Sequence, residues 1–174
     1  KREKVEQMFD SIATRYDLLN RVLSGGIDKS WRKKAINQLL PIKPQSILDI
    51  ATGTADLALE AVRLNPAQIT GVDISAGMLE IGREKIKAKQ LSELITLQQA
   101  DSEKLPFGDN SFDAITVAFG VRNFEHLEIG LGEMLRVLKP GGMVVILEFS
   151  QPTKFPIKQG YNFYSKYILP GIGQ

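Results

Sequence analysis

Apolar residues recur at helical spacing from the start of the chain, at Val5, Phe9, Ile12, Tyr16 and Leu19, with Met8 and Ala13 widening the stripe. This predicts an amphipathic N-terminal helix with a break near Thr14. Ser24-Gly25-Gly26 reads as a turn. Asp28 is placed to N-cap a second helix carrying Trp31, Ala35, Ile36, Leu39 and Leu40, and Pro41 and Pro44 end it. From Ser46 onward the pattern changes. Short apolar runs occupy 47–50, 69–72, 95–97, 114–119 and 143–149, and helical patterns fill 55–64, 75–89 and 125–138. Only the third and fourth runs lack a helix between them and are joined by residues 104–110. Strand–helix alternation predicts an α/β domain, a doubly wound, mainly parallel sheet with helices on both faces. Such sheets bind ligands beyond the carboxyl ends of their strands.

Three of those ends carry an acidic residue followed by small or helix-starting residues. The first is Asp49-Ile50-Ala51-Thr52-Gly53-Thr54-Ala55-Asp56, where small side chains allow close approach to the backbone. A pyrophosphate turn needs GxGxxG, and here Ala51 and Ala55 stand where glycines are expected, leaving Gly53. That suits a nucleoside ligand without a pyrophosphate. The second end is Gly71-Val72-Asp73-Ile74-Ser75. Its carboxylate can accept both hydroxyls of a ribose, and Ser75 can cap the next helix. The third is Gln98-Gln99-Ala100-Asp101-Ser102, where a carboxylate can accept from an adenine amino group. A lone Asp at a strand end is as readily a cap or turn former. Three on successive strands of one frame point to a ligand.

Composition narrows the chemistry. The chain has 174 residues, 43% hydrophobic and 24% charged, with a formal net charge of +2, so no strong field recruits nucleic acid. There is no cysteine, which excludes disulfides, thiolate metal sites and a cysteine nucleophile. One histidine is poor material for a metal site. No apolar run has the length of a membrane span, and Lys1-Arg2-Glu3-Lys4 is not followed by the apolar stretch of a signal peptide. A cytoplasmic location is expected. The chain lacks a starting Met and stops at Ile172-Gly173-Gln174, so it reads as part of a longer protein.

Asp49-Ile50-Ala51-Thr52-Gly53-Thr54, Val72-Asp73, Asp101, Leu105-Pro106-Phe107 with Asn110-Ser111-Phe112-Asp113, and Leu135-Arg136-Val137-Leu138-Lys139-Pro140-Gly141-Gly142 resemble the ordered motifs of class I S-adenosylmethionine (SAM)-dependent methyltransferases, a Rossmann-like fold. Narrower motifs are similar to those of the demethylmenaquinone and ubiquinone C-methyltransferases. They are Phe9-Asp10-Ser11-Ile12-Ala13, Tyr16-Asp17-Leu18-Leu19-Asn20, Gly26-Ile27-Asp28 with Trp31-Arg32, Phe119-Gly120-Val121-Arg122-Asn123, and Leu147-Glu148-Phe149-Ser150 with Pro152. Two positions depart from the family pattern. Ala55 stands at an often-glycine position, and Ala118 stands where a Ser often precedes the Phe-Gly pair.

The resemblance implies SAM as cofactor and a prenylated quinol as methyl acceptor. The Ala-Thr-Gly-Thr loop favours the menaquinone branch. The ubiquinone branch, another small acceptor and a non-catalytic SAM-binding regulator are the alternatives. Cofactor contacts are implied for Gly53 and Thr54 at the methionine end, Asp73 at the ribose, and Asp101 with Ser102 at the adenine. Asp49 either orients the loop or meets the ammonium group. Residues 1–44 would form a helical lid, 45–150 the SAM-binding core, and 151–174 the start of a region covering the substrate.

Arg122 and Asn123 follow the fourth strand and are the candidates to bind the quinol oxygen. The alternative for Arg122 is an exposed loop cation, or an ion pair with Asp17 or Glu148 that fixes the cover. Tyr16 reads first as core, and Asp17 and Asn20 as caps or turn formers. His126 reads as a solvated first-turn residue and stays outside the catalytic set. Residues 154–174 hold Phe155, Tyr161, Phe163, Tyr164 and Tyr167, five of the chain's 13 aromatics, among Lys154, Lys158 and Lys166. That mixture suits a membrane interface or an isoprenoid tunnel mouth, and equally a helix packed on the core. Peripheral contact with the inner face of the membrane is therefore one expectation. Monomer and homodimer both stay open.

Overall fold

The computed structural model describes residues 2–24 and 26–149. The aromatic tail, Ser150, Pro152, Gly25 and the Asn20 side chain lie outside what it describes. Among the described residues five strands form one parallel sheet: β1 Ser46–Ile50, β2 Gln68–Asp73, β3 Ile95–Gln99, β4 Phe112–Ala118 and β5 Leu138–Leu147. Their order is β3-β2-β1-β4-β5. Strand order therefore reverses between β1 and β4, where such sheets open a ligand crevice. The α-helices of the described residues are α1 Arg2–Leu23, α2 Asp28–Asn37, α3 Asp56–Ala61, α4 Ala76–Ala88 and α5 Leu127–Val137.

The strands form where the short apolar runs are, because both faces of the sheet are covered. All five residues of β1 are buried, Asp49 included. One core cluster joins Ile36, Leu39, Ile47, Leu57 and Ile69 beneath α2 and α3. The other joins Leu48, Ile50, Ile115, Met134 and Val137 beneath α5. Adjacent β1 residues thus feed opposite cores, as period-2 geometry requires.

Asp113 secures the far end of the sheet. It accepts from the Gln45 and Ser46 amides at 2.9 and 2.8 Å and from Lys139 Nζ at 2.8 Å. Burial opposes its ionisation, yet Lys139 and these N–H groups outweigh it and hold the carboxyl at about 2.

Four local expectations need correction. The first helix runs unbroken from Arg2 to Leu23, because the apolar stripe continues past Thr14. Asp28 is not an N-cap: Ile27 holds that position, and Asp28 accepts from Ser24 Oγ at 3.0 Å and pairs with Arg32 at 2.7 Å. The helix after the glycine-poor loop is short, Asp56–Ala61, and continues as a 3-10 turn over Val62–Leu64. The last strand starts at Leu138, directly where α5 ends, with a register irregularity opposite residues 112–114.

Candidate functional site

The loop after β1 turns through left-handed backbone at alternate positions: Ala51 (φ 53°), Gly53 (φ 55°) and Ala55 (φ 65°). Only glycine adopts this region freely, so each alanine carries strain of about 1–2 kcal/mol. The geometry thus keeps the form expected of a glycine-rich loop although two glycines are absent. Asp49 holds it from beneath. One carboxylate oxygen accepts from Thr52 Oγ1 and the other from Thr116 Oγ1, both at 2.6 Å. Burial pushes the Asp49 carboxyl up to about 6, partly countered by those two hydroxyls. Asp49 therefore lies within β1 and orients the loop.

Asp73 closes β2. Its Oδ2 accepts the Gly53 amide at 2.8 Å, and its Oδ1 accepts the Ser75 amide at 2.9 Å. A carboxylate offers about four acceptor positions, so not all are taken by these backbone bonds. Burial raises its pKa; the Ser75, Gly53 and Ile74 N–H groups oppose this, and the charge of Asp10 adds to it. Ser75 Oγ caps α4 through the Met78 amide at 3.1 Å, as read from the sequence, and donates to Asp10 of α1 at 2.5 Å.

A cleft lies over these strand ends, partly open to solvent, with about 790 Å³ of space between its walls, open solvent included. Gly53, Asp73, Asp101, Ser102 and Asn123 all line it. So do Val5, Phe9 and Tyr16 of α1. The charged side chains of its described lining are acidic. Asp73, Asp101, Glu103 and Glu125 line it, and among the described lining residues there is no Lys or Arg. Glu103 is held ionised: burial works against it, but the His126 and Glu125 N–H groups keep its carboxyl below the usual range. Such a wall repels phosphates and suits a cationic nucleoside.

A smaller cleft of about 420 Å³ adjoins it. Tyr16, Ala51, Gly53, Ala118 and Phe119 line both. Asp49, Thr54 and Arg32 line the smaller one. Thr54 is engaged there. It donates to Asp17 at 2.6 Å and accepts from Lys85 Nζ at 3.0 Å, while Lys85 also pairs with Asp17 at 2.8 Å and Asp56 at 2.5 Å. This network ties α1 to the loop and to α4.

Arg122 lies in a 3-10 turn, Val121–Asn123, outside both cleft linings. Its Nη1 donates to Glu148 at 3.2 Å, and the side chain is 51% exposed. The guanidinium lies 5.9 Å from the Phe119 ring centre and 5.6 Å from that of Phe149. Of the two carboxylates considered for it, Glu148 is the partner. Asn123 reaches the large cleft. Phe119 has φ 56°, strained for an aromatic residue, and stacks on Phe149 with ring centres 4.4 Å apart. His126 is the residue preceding α5, 61% exposed, with Nδ1 2.8 Å from Glu103.

Three contributors were missed. Arg32 entered only as part of a motif, and Phe119 likewise. Lys85 gave no signal, because a lysine on a polar helix face looks the same whether or not it meets a partner. Tyr16, read first as core, lines both clefts. Among the described residues no group of acids and histidines could hold a metal, and no helix is long and apolar enough to cross a membrane.

Fold and site together define a Rossmann-like domain of the class I SAM-methyltransferase type. A family model described as the ubiE/COQ5 methyltransferase family matches residues 1–174, and the chain belongs to that family. It is 57% identical over 175 residues to a demethylmenaquinone methyltransferase of Bacteroides fragilis, covering 100% of this chain and 71% of the relative. It is 51% identical over 175 residues to a ubiquinone/menaquinone biosynthesis C-methyltransferase, UbiE, of Geotalea daltonii, covering 99% and 74%. Among solved structures it resembles a SAM-dependent methyltransferase of Thermotoga maritima (TM-score 0.65, 23% identity, 91% and 67% covered). It also resembles the cyclase SpnF (TM-score 0.71, 24% identity, 88% and 62% covered). These two likenesses concern the fold alone, which hosts more than one chemistry.

Proposed function

We propose that this protein transfers a methyl group from SAM to a ring carbon of a prenylated quinol, converting demethylmenaquinol to menaquinol. The observation that carries the donor assignment is the charge of the large cleft, four carboxylates with no lysine or arginine among its described lining residues. SAM is a cationic nucleoside without phosphates and fits that wall. The acceptor assignment draws on the names of the relatives, of which the Bacteroides fragilis protein is a demethylmenaquinone methyltransferase. A ubiquinone precursor is the second reading, favoured by the UbiE relatives.

Asp73 takes the ribose hydroxyls on the acceptor positions its backbone bonds leave. Asp101 and Ser102 meet the adenine. Gly53 and Thr54 form the wall beside the methionine end, and Asp49 keeps that loop in shape. When bound, SAM supplies an electrophilic methyl through its sulfonium. The protein's part is alignment and an electron-rich ring carbon. In-line alignment contributes several kcal/mol, up to roughly 7–11 in ideal cases. A quinol carbon becomes nucleophilic as a ring hydroxyl loses its proton. Asn123 donates to that oxygen from the cleft wall, and Arg122 stabilises the developing phenolate by turning from Glu148. Helix α1 acts as a lid, since Val5, Phe9 and Tyr16 line the cleft and Asp10 and Asp17 fasten it. The acceptor's isoprenoid tail reaches the protein at the inner membrane face, where the enzyme makes peripheral contact.

The test is incubation of the full-length protein with SAM and a panel of reduced quinones, with products identified by mass spectrometry. Methylated menaquinol as the main product supports the proposal. Methylation confined to ubiquinone precursors selects the second reading, and no methylated quinol at all refutes both.

A further inference from the structure

We infer that Arg32 is the residue that receives the α-carboxylate of the methyl donor, resting on the methyltransferase function proposed above. The large cleft holds a nucleoside, and the smaller cleft shares Tyr16, Ala51, Gly53, Ala118 and Phe119 with it. A nucleoside bearing an amino-acid tail extends from one into the other. That tail ends in a carboxylate, which needs a cation or several donors where water is displaced. Arg32 is the single Lys or Arg among the described residues lining the two clefts. Asp49 and Asp56 also line the smaller cleft and would repel a carboxylate without it.

The side chain is positioned for the task. It is 12% exposed and oriented by Asp28, whose Oδ2 lies 2.7 Å from Nη2. A second pair, Nη2 to Asp56 Oδ2, is longer at 3.3 Å. Both contacts run through one nitrogen, whereas a guanidinium carries five N–H donors in a fork that matches a carboxylate. Asp56 also has its own cation, Lys85, at 2.5 Å. Arg32 can therefore exchange Asp56 for the ligand carboxylate without leaving a charge unpaired. Asp28 is held ionised throughout: burial opposes this, but the Ser24 hydroxyl and the Arg32 charge outweigh it. The site thus selects amino-acid-bearing nucleosides over those whose tail lacks a carboxylate.

Calorimetry on the full-length protein tests this with two ligands, SAM and decarboxylated SAM, which keeps the sulfonium and the amine. The wild type should bind decarboxylated SAM about ten- to a hundredfold more weakly. Arg32→Gln should weaken SAM by a similar factor and change decarboxylated SAM by less than about twofold. Arg32→Lys should keep part of the preference, because it keeps charge without the fork. Equal loss for both ligands in Arg32→Gln would assign Arg32 to holding α2 and overturn the inference. So would a wild type that binds the two ligands equally, an outcome that needs no variant to fold. A wild type that binds neither ligand would refute the methyltransferase function itself.

Discussion

The carboxylate of Asp73 accepts the backbone N–H of Gly53 at 2.8 Å, so the end of β2 fixes the loop that follows β1. One residue then shapes the loop and faces the cleft with its remaining acceptor positions. Replacing Asp73 with Ala should weaken SAM and S-adenosylhomocysteine by roughly 1–3 kcal/mol, since ribose hydroxyls lose a charged acceptor. Asp73→Asn should fall between, keeping one acceptor oxygen. Calorimetry on folded variants reads this, and unchanged affinity would move the ribose elsewhere.

Asp49 gives a pH signature of unusual sign. Its folded carboxyl titrates near 6, above the ordinary 3.8, because burial disfavours the charge. The native state thus binds this proton more tightly than the unfolded chain. The resulting stability is fully present below about 4 and lost as pH rises through 6. Relative to Asp49→Asn, which does not titrate, the wild type should gain about 1 kcal/mol between pH 7 and pH 5. Urea unfolding at both pH values measures it. A difference between the proteins that stays constant with pH would contradict this environment for Asp49. Asp113 acts in the opposite sense: its pKa is depressed to about 2, so its contribution is present above about 4 and lost in stronger acid.

The alternation of strands and helices was legible because a two-sided parallel sheet demands unbroken apolar runs. Ile47, Leu48 and Ile50 sit in such a run and are all buried. Asp73, Asp101 and Ser102 could be placed at the cleft for the same reason, since strand ends in this topology share one edge. Backbone detail was hidden. Ala51 and Ala55 adopt left-handed φ against their own preference, held there by the bonds of Thr52 to Asp49 and of Gly53 to Asp73. Helix boundaries were also blurred, as at Val137–Leu138, where no breaker separates α5 from β5. Long-range pairs such as Asp17 with Lys85 join residues whose spacing has no local period.

That pair makes a prediction about α1. Both side chains are partly exposed, so screening reduces their worth, and a double-mutant cycle between Asp17→Ala and Lys85→Met should give a coupling of about 0.5–1 kcal/mol that shrinks in high salt. Hydrogen exchange across α1 should accelerate in Asp17→Ala with little change in the strands. Unaltered exchange in α1 would show that the helix is held by its apolar contacts alone.

Arg122 faces two rival roles that kinetics can separate. As a phenolate-stabilising group, its loss appears in turnover more than in SAM affinity. Arg122→Ala should then lose roughly 2–4 kcal/mol of transition-state stabilisation, while Arg122→Lys retains part of the rate. If it only braces the turn against Glu148, Glu148→Ala should do comparable harm and lower Tm as well. Single-turnover methylation of the reduced acceptor at saturating SAM, with Tm recorded for each variant, decides between them. A near-normal rate in Arg122→Ala would remove it from the mechanism.

Transfer of a labelled methyl group tests the central claim most directly. The full-length protein is incubated with SAM carrying a trideuterated methyl and with demethylmenaquinol, and the product is examined by mass spectrometry and NMR. Carbon methylation predicts a quinol bearing the labelled methyl on a ring carbon, with the ring hydrogen at that position lost and both oxygens unmethylated. A label found on an oxygen, or demethylmenaquinol recovered unchanged by a protein that binds SAM, would contradict it.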